Sequence, residues 1–132
     1  MITADSSIWI DYFKGTSTPH TEALDAVLND SSQELVLLDV VLMEVLRGFR
    51  LTQELRLAQQ ALAALPVVNA GGEAIAHFAA NIYRDLRHKG ITVRSPIDLL
   101  VGAWCIYNDC DLIQSDRDYD GMVAFMGLRG TP

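Results

Sequence analysis

Apolar positions along this chain fall into two periods, and the periods alternate. Ile2-Thr3-Ala4-Asp5, Leu35-Val36-Leu37-Leu38, Pro66-Val67-Val68 and Asp111-Leu112-Ile113-Gln114 are short, mostly apolar runs bounded by turn residues. Such runs mark strands buried on both faces, and the third is the briefest. Between them the spacing becomes helical. Ile8, Trp9, Tyr12 and Phe13 share one face of a helix that Asp5, Ser6 and Ser7 can cap and Gly15 ends. Thr18-Pro19 opens a second helix, with Leu24, Val27 and Leu28 as its stripe. Asp39 caps a third, which runs to about Arg47 before Gly48, and Leu51, Leu55, Ala58, Leu62 and Leu65 outline a fourth. Ile75, Phe78, Ala79, Ile82 and Leu86 mark a long amphipathic fifth helix, stopped by Gly90. Ser95-Pro96-Ile97-Asp98 has the form of a capping box opening a sixth, which carries Leu99, Leu100, Ala103, Trp104 and Ile106. An acidic turn, Asp116 to Asp120, follows the strand at 111–114, then a short helix and a last short strand near Leu128. Strands alternating with helices predict an α/β protein: a three-layer α/β/α sandwich around a mostly parallel sheet. No repeat or linker breaks the pattern, so a single domain is expected over residues 1–132.

Four acids depart from this partition. Asp5 stands between Ala4 and Ser6-Ser7-Ile8-Trp9; Glu44 lies within Val40-Val41-Leu42-Met43 and Val45-Leu46; Asp98 precedes Leu99-Leu100-Val101; Asp116 follows Leu112-Ile113-Gln114-Ser115. An unpaired carboxylate in such surroundings is costly to bury. Taken singly, Asp5 reads equally as a helix cap, Asp98 as the return half of a capping box, and Asp116 as a polar turn residue. Glu44 has no comparable structural role beyond a pair with Arg47, one turn on. Taken together they change the picture. Strand ends and helix starts share one edge of a parallel sheet, where sites form, so all four are expected in one cleft. Four acids there repel and raise one another's pKa unless a cation binds. An oxygen-only set suits Mg²⁺ or Mn²⁺, and such sites serve phosphodiester chemistry.

Composition narrows the picture a little. Half of the chain is hydrophobic and a fifth is charged, as in ordinary globular proteins. No apolar segment is long enough to span a bilayer. The start, Met1-Ile2-Thr3-Ala4-Asp5, lacks a basic leader, so a cytoplasmic protein without a membrane partner is expected. The net charge of −7 argues weakly against nucleic-acid binding, because bound cations offset an acid cluster. Two local basic groups, Arg84-Arg87-Lys89-Arg94 and Arg47-Arg50-Arg56, can meet phosphate or simply face solvent. Cys105 and Cys110 do not form a Cys-x-x-Cys unit; Cys105, within an apolar run, reads as a buried free thiol. His20, His77 and His88 have no ligand spacing, and there is no phosphate-binding glycine loop.

The ordered motifs resemble the PIN-domain family, and within it the VapC-type ribonuclease toxins of type II toxin–antitoxin systems. The matching segments are Asp5-Ser6-Ser7-Ile8-Trp9-Ile10-Asp11-Tyr12, Glu44-Val45-Leu46-Arg47-Gly48, Gly90-Ile91-Thr92-Val93-Arg94 with Ile97-Asp98-Leu99-Leu100-Val101-Gly102-Ala103, Leu112-Ile113-Gln114-Ser115-Asp116-Arg117-Asp118-Tyr119-Asp120, and Leu128-Arg129. The resemblance implies a Mg²⁺- or Mn²⁺-dependent endonuclease acting on RNA, a homodimer, and a toxin–antitoxin hetero-oligomer with a VapB-type antitoxin that inhibits it. Carried over motif by motif, it implies that Asp5, Glu44, Asp98 and Asp116 are catalytic metal-holding acids, with Asp118 as an accessory. Ser6 stands where a threonine is usual and keeps the hydroxyl. Ser7 is a candidate to position a metal-bound water or to act only as a cap, and Ser115 to orient Asp116 or only to end the strand. Arg94 offers a guanidinium to a substrate phosphate, or to a surface ion pair.

Two other functions fit the same layout. A phospho-acceptor receiver domain needs an acidic pair after strand one and a lysine beyond the last catalytic strand; here Ala4 precedes Asp5 and no lysine follows Lys89. A non-catalytic binding module on this scaffold predicts no stabilisation by metal.

Overall fold

The computed structural model describes residues 1–131. The chain runs β1 (Ile2–Ala4), α1 (Ser6–Phe13), α2 (Pro19–Leu28), β2 (Leu37–Leu38), α3 (Asp39–Arg47), α4 (Thr52–Leu62), β3 (Val67–Val68), α5 (Glu73–His88), α6 (Pro96–Tyr107), β4 (Asp111–Ile113), a 3-10 turn (Arg117–Tyr119), α7 (Asp120–Phe125) and β5 (Gly130–Thr131). The predicted order of elements is the observed one.

All strand pairings are parallel: β1 with β4, β4 with β5, and β2 with β3. The two ladders join where Leu35 bridges Ile2. There Ile2 N–H donates to the Glu34 carbonyl at 2.9 Å and Val36 N–H to the Ile2 carbonyl at 3.0 Å. The buried Thr3 hydroxyl adds a 2.7 Å bond to the Val36 carbonyl. The strand order is therefore β3-β2-β1-β4-β5. Right-handed crossovers then put α1–α4 on one face of the sheet and α5–α7 on the other. The helix contacts agree: α1 packs on α2 and α3, and α5 on α6 and α7.

Burial follows the strand prediction except at the edge. Ile2 to Ala4, Leu35 to Leu38, and Leu112 and Ile113 are all buried. Val67 is 50 % exposed, and its strand, β3, is the edge strand beside β2. In α4 the expected stripe shrinks to Ala58 and Leu62; Leu51 lies outside the helix and is 61 % exposed. Trp9 is buried and stacks on Phe13 with centroids 5.9 Å apart, so that cluster belongs to the core.

Capping departs from expectation in an informative way. Thr18 and Thr21 form a reciprocal capping box at the start of α2. Asp5 occupies the N-cap position of α1, yet its side chain makes no capping bond. Asp39 is the first residue of α3 rather than its cap; its Oδ1 accepts from Val40 N–H at 2.8 Å and Ala70 N–H at 3.1 Å. At the end of α6, Asp109 takes a left-handed φ of 56° and Cys110 N–H donates to the Cys105 carbonyl at 2.9 Å. That geometry sets residues 105 and 110 against each other. Both thiols are free and buried, as expected for Cys105.

Candidate metal centre

From β1 the chain leaves towards β2, and from β4 it leaves in the opposite direction, towards β5. A parallel sheet opens a crevice at such a reversal, outside the C-terminal ends of the two strands. Asp5 follows β1 and Asp116 lies just past β4, so the topology alone brings the first and last acids to one place. The Asp5 N–H donates to the Ile113 carbonyl at 2.9 Å and holds the two strand ends together.

Asp98 enters the crevice from the first turn of α6. Ser95 is its N-cap, and the serine hydroxyl accepts from Asp98 N–H at 3.2 Å. The expected box is only half made. Asp98 does not return a bond to Ser95 N–H; Asp118 Oδ2 takes that donor at 2.9 Å, and Asp118 Oδ1 takes Arg94 N–H at 3.0 Å. Asp118 thereby clamps the loop before α6 and leaves the Asp98 carboxylate free of capping. Asp116 is fixed in turn: its Oδ1 accepts from Asp118 N–H at 2.9 Å, and its own N–H donates to Gln114 Oε1 at 2.9 Å.

One carboxylate oxygen from each of Asp98, Asp116 and Asp118 lies within 4.8 Å of the others. Asp98 is 8 % exposed and Asp5 2 %. Burial pushes the Asp98 carboxyl up to about 7, and the charges of Asp5, Asp116, Asp118 and Glu44 push in the same direction. Asp98 thus feels all four other predicted acids. Glu44 stands outside the close triad. Its side chain, 17 % exposed, accepts from the Ser6 hydroxyl at 3.0 Å, and Arg47 lies 3.8 Å from its other oxygen. Ser7 donates to Asp5 Oδ2 at 3.0 Å.

Beside the acids an open cleft of about 660 Å³ is lined by Ser7, Thr92, Arg94, Ser115, Asp116, Arg117 and Asp118. Among the described residues neither Arg94 nor Arg117 has an ion-pair partner. Both guanidinium groups are therefore free to meet an anionic ligand at the edge of the crevice. The donor set fits a hard divalent cation: several carboxylates, no sulfur or imidazole, and a buried acid whose charge its neighbours oppose.

Two residues of this region were not singled out from the sequence. Arg117 lay in what read as an acidic turn. Tyr119 is fully buried, and its hydroxyl lies 2.9 Å from Asp5 Oδ1 and 3.3 Å from Asp98 Oδ1. Burial and the two carboxylates push its phenol far above the usual range, so it stays a donor. A buried aromatic after a turn reads as core; no sequence signal marks its oxygen.

Among known proteins the chain is 27 % identical to the VapC ribonuclease Mb1587 of Mycobacterium bovis over 129 residues, covering 98 % of this chain and 96 % of that one. The match to ribonuclease VapC11 of Mycobacterium tuberculosis has the same identity and coverage. Among solved structures, it resembles VapBC2 from Rickettsia felis bound to a promoter DNA fragment, with a TM-score of 0.78, 14 % identity, and 99 % and 98 % coverage of the two chains. VapBC-1 from nontypeable Haemophilus influenzae gives a TM-score of 0.73 at 16 % identity, covering 99 % of this chain and 97 % of that one. Residues 2–123 match the PIN domain family. With its parallel sheet, its acids at the strand reversal and this match, the chain belongs to the PIN domain family.

Proposed function

We propose that this protein is a divalent-metal-dependent endoribonuclease, the toxin of a VapBC-type pair. The observation that carries the reading is Asp98: a buried carboxyl raised to about 7 where four other acids converge. A site that opposes its own ionisation gains most from a cation. Relatives of nearly the same length that bear the name ribonuclease supply the substrate class.

Asp98, Asp116 and Asp118 would hold Mg²⁺ or Mn²⁺, with Asp5 and Glu44 completing the charge of the catalytic acid set. When bound, the ion supplies Lewis acidity and countercharge to the phosphodiester oxygens. This chain's own residues do the rest. Ser7 fixes the Asp5 carboxylate and Ser6 the Glu44 carboxylate, while Ser115 lines the cleft wall beside Asp116. Arg94 and Arg117 face that cleft and bind the RNA backbone, which offsets the repulsion between an acidic protein and a polyanion.

The partner of the toxin is a VapB-type antitoxin. A second, apolar cleft of about 810 Å³, with Ile10, Phe13, Val45, Phe49, Leu57 and Ala58 among its walls, supports this by offering a seat for an apolar segment. The active unit is one PIN domain spanning the chain, assembled as a homodimer and, with antitoxin, as a hetero-oligomer in the cytoplasm. Among the described residues no helix is long and apolar enough to cross a membrane.

The test is cleavage of labelled RNA by purified wild type, Asp5→Asn and Asp98→Asn in Mn²⁺ and in EDTA. Wild type cuts only with metal, and both variants fold but do not cut. Full activity in either variant sinks the reading.

A further inference from the structure

We infer that Tyr119 is a positioning residue of the acid centre: its hydroxyl fixes the Asp5 and Asp98 carboxylates side by side, and through them sets the affinity for the divalent cation. The inference rests on the metal-dependent reading above.

Three observations lead to it. The phenol oxygen lies between two carboxylate oxygens, 2.9 Å from Asp5 and 3.3 Å from Asp98. One O–H has one proton, so it bonds the nearer acid and attracts the other; two carboxyl groups converge on a single donor. Second, the phenol is the only side-chain donor within hydrogen-bond distance of the Asp98 carboxylate among the described residues, whereas Asp5 is also held from its far oxygen by Ser7 at 3.0 Å. The direction in which Asp98 faces the crevice therefore depends on Tyr119. Third, ring and oxygen have separable work. The ring fills a buried space against α6, where its Cδ1 is 3.6 Å from the position of a Cβ at Gly102. Phenylalanine would fill that space equally well. Only the oxygen reaches the acids, and groups that orient metal-holding side chains tune affinity strongly.

The experiment is a thermal melt of metal-stripped wild type and Tyr119→Phe against increasing Mn²⁺, with RNA cleavage measured across the same range. The variant should unfold cooperatively without metal, and its Mn²⁺ midpoint should lie about 10–100-fold above that of wild type. Saturating Mn²⁺ should restore most of kcat. A purely structural role would change the metal-free melt and leave the Mn²⁺ midpoint alone. Equal midpoints for the two proteins overturn the inference. A wild type whose melt ignores millimolar Mn²⁺ overturns instead the metal-dependent reading beneath it. If Tyr119→Phe gives no cooperative melt, 4-fluorophenylalanine at position 119 fills the oxygen's space without its proton and repeats the measurement. Failure of both to fold makes the hydroxyl a requirement of the fold, which also overturns the inference.

Discussion

Replacing Asp98 by asparagine should stabilise the metal-free protein, increasingly so as pH rises from about 4 to 7. The Asp98 carboxyl sits at about 7, raised from the usual 3.8 by burial and by its acidic neighbours. Between those two values the folded chain holds a proton that the unfolded chain has released, so stability falls as pH rises through that window. A shift of about three units corresponds to about 4 kcal/mol at 1.36 kcal/mol per unit. The other acids share the strain and the open cleft admits solvent, so about 2–4 kcal/mol is the expected cost above pH 7. The Asp98→Asn amide removes the charge and keeps the shape of the protonated acid. Urea unfolding in EDTA at pH 5 and pH 8 reads the effect directly. Asp98→Asn should exceed wild type by about 1–2 kcal/mol at pH 5 and by about 2–4 kcal/mol at pH 8. For a chain of 132 residues each 2 kcal/mol is about 7 °C in Tm. Added Mn²⁺ should reverse the order, since only wild type gains binding energy from it. An equal change at both pH values would contradict this account, as would a less stable variant at pH 8.

Asp118→Ala should release the loop before α6: amide exchange at Arg94 and Ser95 should quicken about tenfold or more, read by hydrogen exchange of a peptide over 90–98. Gly102→Ala should cost about 1–3 kcal/mol in urea unfolding, because a Cβ at 102 would run into the Met122 sulfur, and the same change should cost much less when made in a Met122→Ala background.

Burial of strands on both faces is written as unbroken apolar runs, which is why Ile2–Ala4, Leu35–Leu38 and Leu112–Ile113 could be read directly. The edge position of Val67 could not, since strand order is a property of the fold. The convergence of Asp5, Asp98 and Asp116 was legible because parallel α/β topology puts strand ends and helix starts at one edge. The division of labour among them was hidden. Ser95 and Asp98 have the spacing of a capping box, but Asp118, twenty-three residues downstream of Ser95, takes the backbone donor that local spacing assigned to Asp98. Asp39 shows the same effect, bonding Ala70 across thirty-one residues. Local pattern predicts which groups want partners; tertiary geometry decides which partner arrives. Tyr119 is the extreme case. The sequence places it only within an acidic turn, and its inferred role lies in one oxygen whose partners are the fifth residue and the ninety-eighth.

The span between Asp5 and Tyr119, 114 residues apart, bears on how the protein is made. A ribosome delivers the chain from its N-terminus, so Asp5, Glu44 and Asp98 emerge first, on a sheet that lacks β4. Until β4 pairs with β1, nothing aligns Asp5 with Asp116, and the Asp98 carboxylate has no phenol to hold it. A chain interrupted before residue 111 carries three of the five acids and no crevice. The acid centre is therefore a product of long-range closure: it forms only when the segment from β4 to Tyr119 has docked on β1 and α6.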